Sequence, residues 1–88
     1  MICMKIYDFN GKKNICGNQI RLARVRRRMS QSDLAAKMQV EGVILERDSI
    51  SRIEIGTRFV TDYELLTFAK VLNTDIDWLL TDGDDADA

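Results

Sequence analysis

The chain has 88 residues, 45% hydrophobic and 31% charged, the balance of one globular domain with a single small core. No apolar run approaches the roughly 20 residues needed to span a bilayer. The opening stretch, which carries Lys5 and Asp8, lacks the apolar core of a signal peptide, so a cytoplasmic protein with no membrane partner is expected.

Histidine is absent, which removes imidazole acid–base catalysis and the common His-containing zinc sites. Cys3 and Cys16 stand thirteen positions apart without a C-x-x-C spacing and are expected as two reduced thiols, neither a disulfide nor a metal pair. With no nucleophile–base pair, phosphate loop or metal set in the sequence, no enzyme, cofactor, metal or small-molecule ligand is expected. The net charge of −1 hides a strong asymmetry. Up to Arg28 there are eight Lys and Arg against the single acid Asp8, a balance of +7. The remaining sixty residues carry five bases and thirteen acids, a balance of −8. Binding to a polyanion depends on a local basic face rather than on the total.

Residues 1–16 alternate loosely and contain the turn dipeptide Asn10-Gly11; a short N-terminal arm is expected. Residues 18–29 hold no Gly or Pro. Ile20, Ala23 and Arg27 share one helical stripe and Leu22, Val25 and Met29 another, which predicts a first helix there. Arg26, Arg27 and Arg28 load its end with cations, favourable to the helix dipole. They read either as a phosphate clamp or as a solvated helix end. Ser30-Gln31-Ser32-Asp33 is a variant capping box, with Met29 and Leu34 at the positions of a hydrophobic staple. A short second helix follows, with Leu34, Ala35 and Met38 inward.

Residues 39–45, with Gly42 and Val43-Ile44-Leu45, lack a helical pattern and predict a loop that tucks one or two apolar side chains into the core. A third helix is expected near Asp48-Ser49-Ile50-Ser51-Arg52-Ile53-Glu54-Ile55, with Ile50 and Ile53 buried and Gly56 as the left-handed residue after it. Thr61-Asp62-Tyr63-Glu64 is a full capping box. It opens a fourth helix to about Leu72, with Leu65, Leu66, Phe68, Ala69 and Leu72 on a broad apolar face and Asn73 as its terminator. Thr74 is expected to cap a fifth helix carrying Ile76, Leu79 and Leu80. Trp78 reads as a dimer contact or a core aromatic. Residues 82–88 hold four Asp and no apolar residue larger than Ala; a disordered acidic tail is expected, since a calcium loop would need a later glutamate that the sequence lacks.

Two short helices, the second rich in Arg, Asp and Ser at its start, follow the plan of a helix-turn-helix. Gln31-Ser32-Asp33-Leu34-Ala35-Ala36-Lys37-Met38, then Ile50-Ser51-Arg52-Ile53-Glu54-Ile55-Gly56, resembles the Cro/lambda-repressor-type (XRE-like) helix-turn-helix DNA-binding family. The resemblance runs back to Ile20 and forward through Leu66, Ala69, Leu72 and Ile76-Asp77-Trp78-Leu79-Leu80. It implies an all-α, compact, five-helix lambda-repressor-like domain over residues 17–81, after an arm at 1–16 and before a tail at 82–88. It further implies a transcriptional regulator, expected as a repressor, that binds double-stranded DNA as a homodimer on a palindromic operator. By position it places Arg47, Asp48, Ser49 and Arg52 on bases, Ser30, Gln31, Arg28 and Arg58 on the DNA backbone, and Arg24 with Glu54 in a structural ion pair.

Three departures from the family pattern bear on these roles. The stretch between Met38 and Ile50 is about five residues longer than the family's usual turn. Glu46 stands at the position of the third helix's Ser/Thr cap, where its side chain is too long to cap well, so Asp48 is an alternative cap and would then leave the bases. Arg28 replaces the Gly that often ends the first helix, which leaves either a looser turn or another phosphate contact. A protein-interaction module built on the same fold, for example an antitoxin-like partner, is the alternative functional reading.

Overall fold

The computed structural model describes residues 11–81. The arm expected at the N-terminus is described only from Gly11 onward, and the expected tail at 82–88 lies outside the described residues. The described chain is all-α, in the order α1 (Gly17–Arg26), α2 (Gln31–Val40), α3 (Arg47–Ile55), α4 (Asp62–Leu72) and α5 (Ile76–Leu79). Among the described residues no helix is long and apolar enough to cross a membrane.

Two helices begin as their sequences predict. At α2 the Ser30 hydroxyl accepts from the Asp33 amide at 2.9 Å while the Asp33 carboxylate accepts from the Ser30 amide at 2.9 Å. At α4 the Thr61 hydroxyl accepts from the Glu64 amide at 3.3 Å and the Glu64 carboxylate accepts from the Thr61 amide at 3.0 Å. Each box satisfies amides that the first helical turn leaves without carbonyl partners.

Four helices end alike. A residue at positive φ follows each of α1 to α4: Arg28 (58°), Gly42 (92°), Gly56 (100°) and Asn73 (54°). The next residue's amide then reaches back to the helix, as in Met29 N–H to Arg24 O at 3.1 Å and Thr57 N–H to Arg52 O at 2.9 Å. This is the Schellman closure.

That closure corrects three expectations. The first helix does not reach Met29, because Arg28 takes the left-handed conformation itself and ends α1 at Arg26. The turn there is tight, not loose, and Met29 packs against the core. The second helix is longer than its pattern suggested and runs to Val40, so the connection to α3 begins at Glu41. There Leu45 is buried, Val43 packs on the core, and Ile44 is exposed. Thr74 does not cap α5: its amide closes α4 on Ala69 O, and Asp75 takes the N-cap position.

Ile20, Leu34, Met38, Ile50, Ile53, Phe68, Leu72 and Leu79 are fully buried, so every helix contributes to one core. Helix α3 packs against α1 and α2, and α4 packs behind them on α1, α2 and α5. Leu66 departs from the broad apolar face predicted for α4; it is 59% exposed, as is its neighbour one turn earlier, Tyr63, at 61%.

Candidate nucleic-acid interface

Helix α3 is seated by backbone as well as by its buried Ile50 and Ile53. The Asn14 side chain donates to Ile53 O at 3.1 Å and to Arg58 O at 2.7 Å, and its own carbonyl accepts from the Gly17 amide at 2.7 Å. A Cβ at Gly17 would run into the Ile53 carbonyl oxygen, so only glycine allows α1 to start this close to α3. Lys13 donates its amide to Gly56 O at 2.8 Å, while its ammonium lies 5.2 Å from the Phe59 ring centroid. Sequence reasoning missed this clip. Its signal was available: an Asn three residues before a helical amide, followed by Gly at the first helical position.

The polar side of the helix pair is joined by one chain of side chains. Arg24 Nε donates to Glu54 Oε2 at 2.7 Å and its NH2 to Glu54 Oε1 at 3.0 Å, a two-pronged pair with side chains only 12% and 4% exposed. The third arm of the guanidinium donates to Met29 O at 2.8 Å, in the turn before α2. Glu54 Oε1 also accepts from Gln31 Nε2 at 3.0 Å, and Gln31 Oε1 accepts from Arg47 NH1 at 3.1 Å. Gln31, at the first turn of α2, is thereby fixed to two residues of α3, one at each end of that helix. A buried charge pair of this geometry is costly to break, because removing one partner strands the other away from water.

The remaining candidates fall into distinct settings. Glu46 occupies the N-cap of α3 with no side-chain capping bond, and Asp48 does not replace it. Asp48 lies in the first turn of α3, exposed, with Oδ2 at 3.2 Å from Arg52 NH2 one helical turn on. Ser49 is half-buried beside them. Ser30 and Arg28 are exposed at the joint of α1 and α2. Arg58 is turned inward: its guanidinium donates to Phe59 O at 2.8 Å and to both oxygens of Glu64 at 3.0 and 3.2 Å. Burial alone would raise the Glu64 pKa, but the bonds from Arg58 and Thr61 outweigh it and hold the carboxyl below its ordinary value. Arg58 is thus an internal anchor of the loop after α3.

The run Arg26-Arg27-Arg28 is divided. Arg26 sits 5.8 Å over the Trp78 ring and Arg27 NH2 donates to Asn73 O at 3.3 Å, so both lean towards the α4–α5 joint. Trp78 is partly buried there against the core. A cleft of about 520 Å³ between Ala23 and Thr74 opens at this joint, with no residue of α3 in its lining. Cys16 is a free, buried thiol, and burial pushes its pKa up to about 11, which keeps it neutral and unreactive. Cys3 lies outside the described residues. Among the described residues no group of three His, Cys, Asp or Glu could hold a metal ion.

Comparison with known families settles what this helix pair is. The family model described as Helix-turn-helix matches residues 20–79. The chain belongs to the Cro/lambda-repressor-type helix-turn-helix family. No curated protein and no solved structure matches it significantly. The family is one of DNA-binding regulator domains, not of enzymes, and the matched span takes in all of α2, the turn and α3.

Proposed function

We propose that the protein is a sequence-specific transcriptional repressor, in the cytoplasm, that docks α3 in the major groove of a palindromic operator as a homodimer. The observation that carries this reading is the fixed chain Arg24–Glu54–Gln31–Arg47. It holds α2 and α3 as one rigid unit and leaves Arg47 at the exposed start of α3. The N-terminal residues of a recognition helix are the ones that meet base edges.

In this reading Arg47 and Arg52 present guanidiniums to guanine O6 and N7, and Asp48 and Ser49 complete the base-reading set. Gln31, Ser30 and Arg28 stand at the α2 N-terminus, where helical amides and cations suit the phosphate backbone. Arg58 supports that face by holding the loop after α3 to Glu64, rather than by reaching phosphate itself. Two copies related by a dyad would place their α3 helices one DNA turn apart, roughly 34 Å. The exposed Tyr63 and Leu66 on α4 supply apolar surface for such pairing.

Gel-shift titration against the best-bound duplex selected from a random-sequence library tests this directly. Arg47→Ala is expected to weaken binding by roughly 10-fold or more and to relax preference at one position of each half-site. The salt dependence should be steep and negative. Should the selection enrich no sequence, the protein-interaction reading takes over; its supporting observation is the exposure of Val40 and Ile44 beside the long turn, 83% and 70%.

A further inference from the structure

We propose that Asp48 is a specificity-determining residue that acts through Arg52: its carboxylate holds and masks the guanidinium, so that Arg52 commits only to a base step offering acceptors to the arginine and a donor to the aspartate. The inference rests on the DNA-binding reading of α3.

The two arginines of α3 are held by chemically different acceptors. Arg47 is bonded to the neutral amide oxygen of Gln31 and keeps its full net charge. Arg52 is bonded to a carboxylate at 3.2 Å, in the Asp-before-Arg order one helical turn apart that the helix dipole favours. Both side chains of the second pair face solvent, 56% and 73% exposed. In water such a pair is weak and opens easily. In a groove it is not: water is displaced, phosphates close in on both sides, and a carboxylate there repels every phosphate and every acceptor edge.

The recognition chemistry follows from the base edges. Guanine offers O6 and N7 to Arg52, and the cytosine amino group, or the amino group of an adjacent adenine, offers the donor that Asp48 requires. A step that presents only acceptors at the aspartate leaves its charge desolvated and unpaired. Sequences that lack the donor are therefore rejected by a penalty, and the adjacent carboxylate offsets the attraction of the guanidinium to phosphate. Asp48 lowers affinity for DNA in general in order to raise the difference between sites.

The test uses the full chain with two probes of equal length: the best-bound duplex from random-sequence selection and a scrambled version of it. Asp48→Asn keeps the shape and removes the charge. It is expected to bind the scrambled duplex more tightly, to steepen the salt dependence by up to about one phosphate equivalent, a slope change near 0.9, and to cut the selected-to-scrambled ratio on the order of 10-fold. In an Arg52→Ala background the same change should lower that ratio by clearly less, since only the aspartate's own contact with the base donor remains and the arginine it controls is gone. An unchanged ratio for Asp48→Asn, or an equal effect with and without Arg52, overturns the proposal while leaving DNA binding intact. A wild-type chain that distinguishes no duplex overturns it together with the DNA-binding reading. Both positions are exposed, and unaltered thermal melting of each variant shows that the readout is recognition and not folding.

Discussion

Helices α2 and α3 form one unit, yet they begin in opposite ways. Helix α2 closes on itself: Ser30 and Asp33 exchange bonds and satisfy its first amides from within the chain. Helix α3 starts at Glu46 with an extended backbone and no side-chain cap, and its first turn carries Arg47 and Asp48 outward. Helix α2 is capped by its own residues, whereas the first turn of α3, the proposed reading helix, leaves its amides without a side-chain cap. The far end of α3 is the more heavily held, through Glu54, Ile53 and the Asn14 clip, while its start is tied by the single exposed Arg47–Gln31 hydrogen bond.

If that division is right, damage at Glu54 should be the most severe. Glu54→Ala strands the Arg24 guanidinium in a largely buried site and releases Gln31, at a cost of roughly 3–5 kcal/mol in unfolding free energy. Urea titration measures it. Gln31→Ala, which leaves the ion pair whole, should cost about 1 kcal/mol and act mainly on DNA affinity. Equal destabilisation by the two changes would break the picture of a rigid far end carrying an open near end.

The second anchor behind α3, Arg58 with Glu64, gives the comparison a pH axis. The Glu64 carboxyl is held below its ordinary value of 4.5 in the folded chain. A depressed folded pKa means stability that is present above the unfolded value and lost as pH falls through the folded one. Wild-type protein should therefore exceed Glu64→Gln in stability at neutral pH, and the gap should close as pH falls below about 4.5. Thermal melts of both chains across that range decide it; a gap that persists in acid shows that the pair is not the source.

Much of this arrangement was legible in the sequence. Both reciprocal caps stand in plain short-range patterns, Ser30-x-x-Asp33 and Thr61-x-x-Glu64, and the buried positions Leu34, Met38, Ile50 and Ile53 follow helical spacing. Local rules reach that far because they concern residues three or four apart. They failed where one residue served two neighbours. Thr74 looked like a cap for α5, but its amide ends α4, its hydroxyl makes no capping bond and Asp75 takes the N-cap position. Arg28 stands where the family often has Gly, but arginine has no local preference for positive φ, so its residue type did not announce the turn. The site was legible as a set of residue types, and the pattern gave no view of how those residues bond. That Arg58 turns inward to Glu64, and that Asp48 spends its carboxylate on Arg52 one helical turn on, are choices among nearby partners that spacing permits but does not dictate.

The capping contrast itself can be exchanged. Ser30→Ala removes a working cap and should cost about 1 kcal/mol, while Glu46→Ser supplies one where none exists and should add a similar amount. Stability that rises with a cap at position 46 while affinity for the selected duplex falls would show that the open start of α3 is kept for DNA. A rise in both would show instead that Glu46 is simply a poor cap.

The smallest expected effect lies at the other joint. Arg28 holds a φ of 58°, which costs an L-residue about 1 kcal/mol more than glycine, partly offset by glycine's greater freedom when unfolded. Arg28→Gly should therefore stabilise the chain slightly, by about 0.5 kcal/mol, measured as a small rise in denaturation midpoint. The strain is informative only alongside binding. If Arg28 sits on phosphate, the glycine variant melts higher yet loses roughly one unit of salt slope, so the strained arginine is kept for its charge. If the slope is unchanged, Arg28 belongs to the scaffold and its strain serves only the turn between α1 and α2.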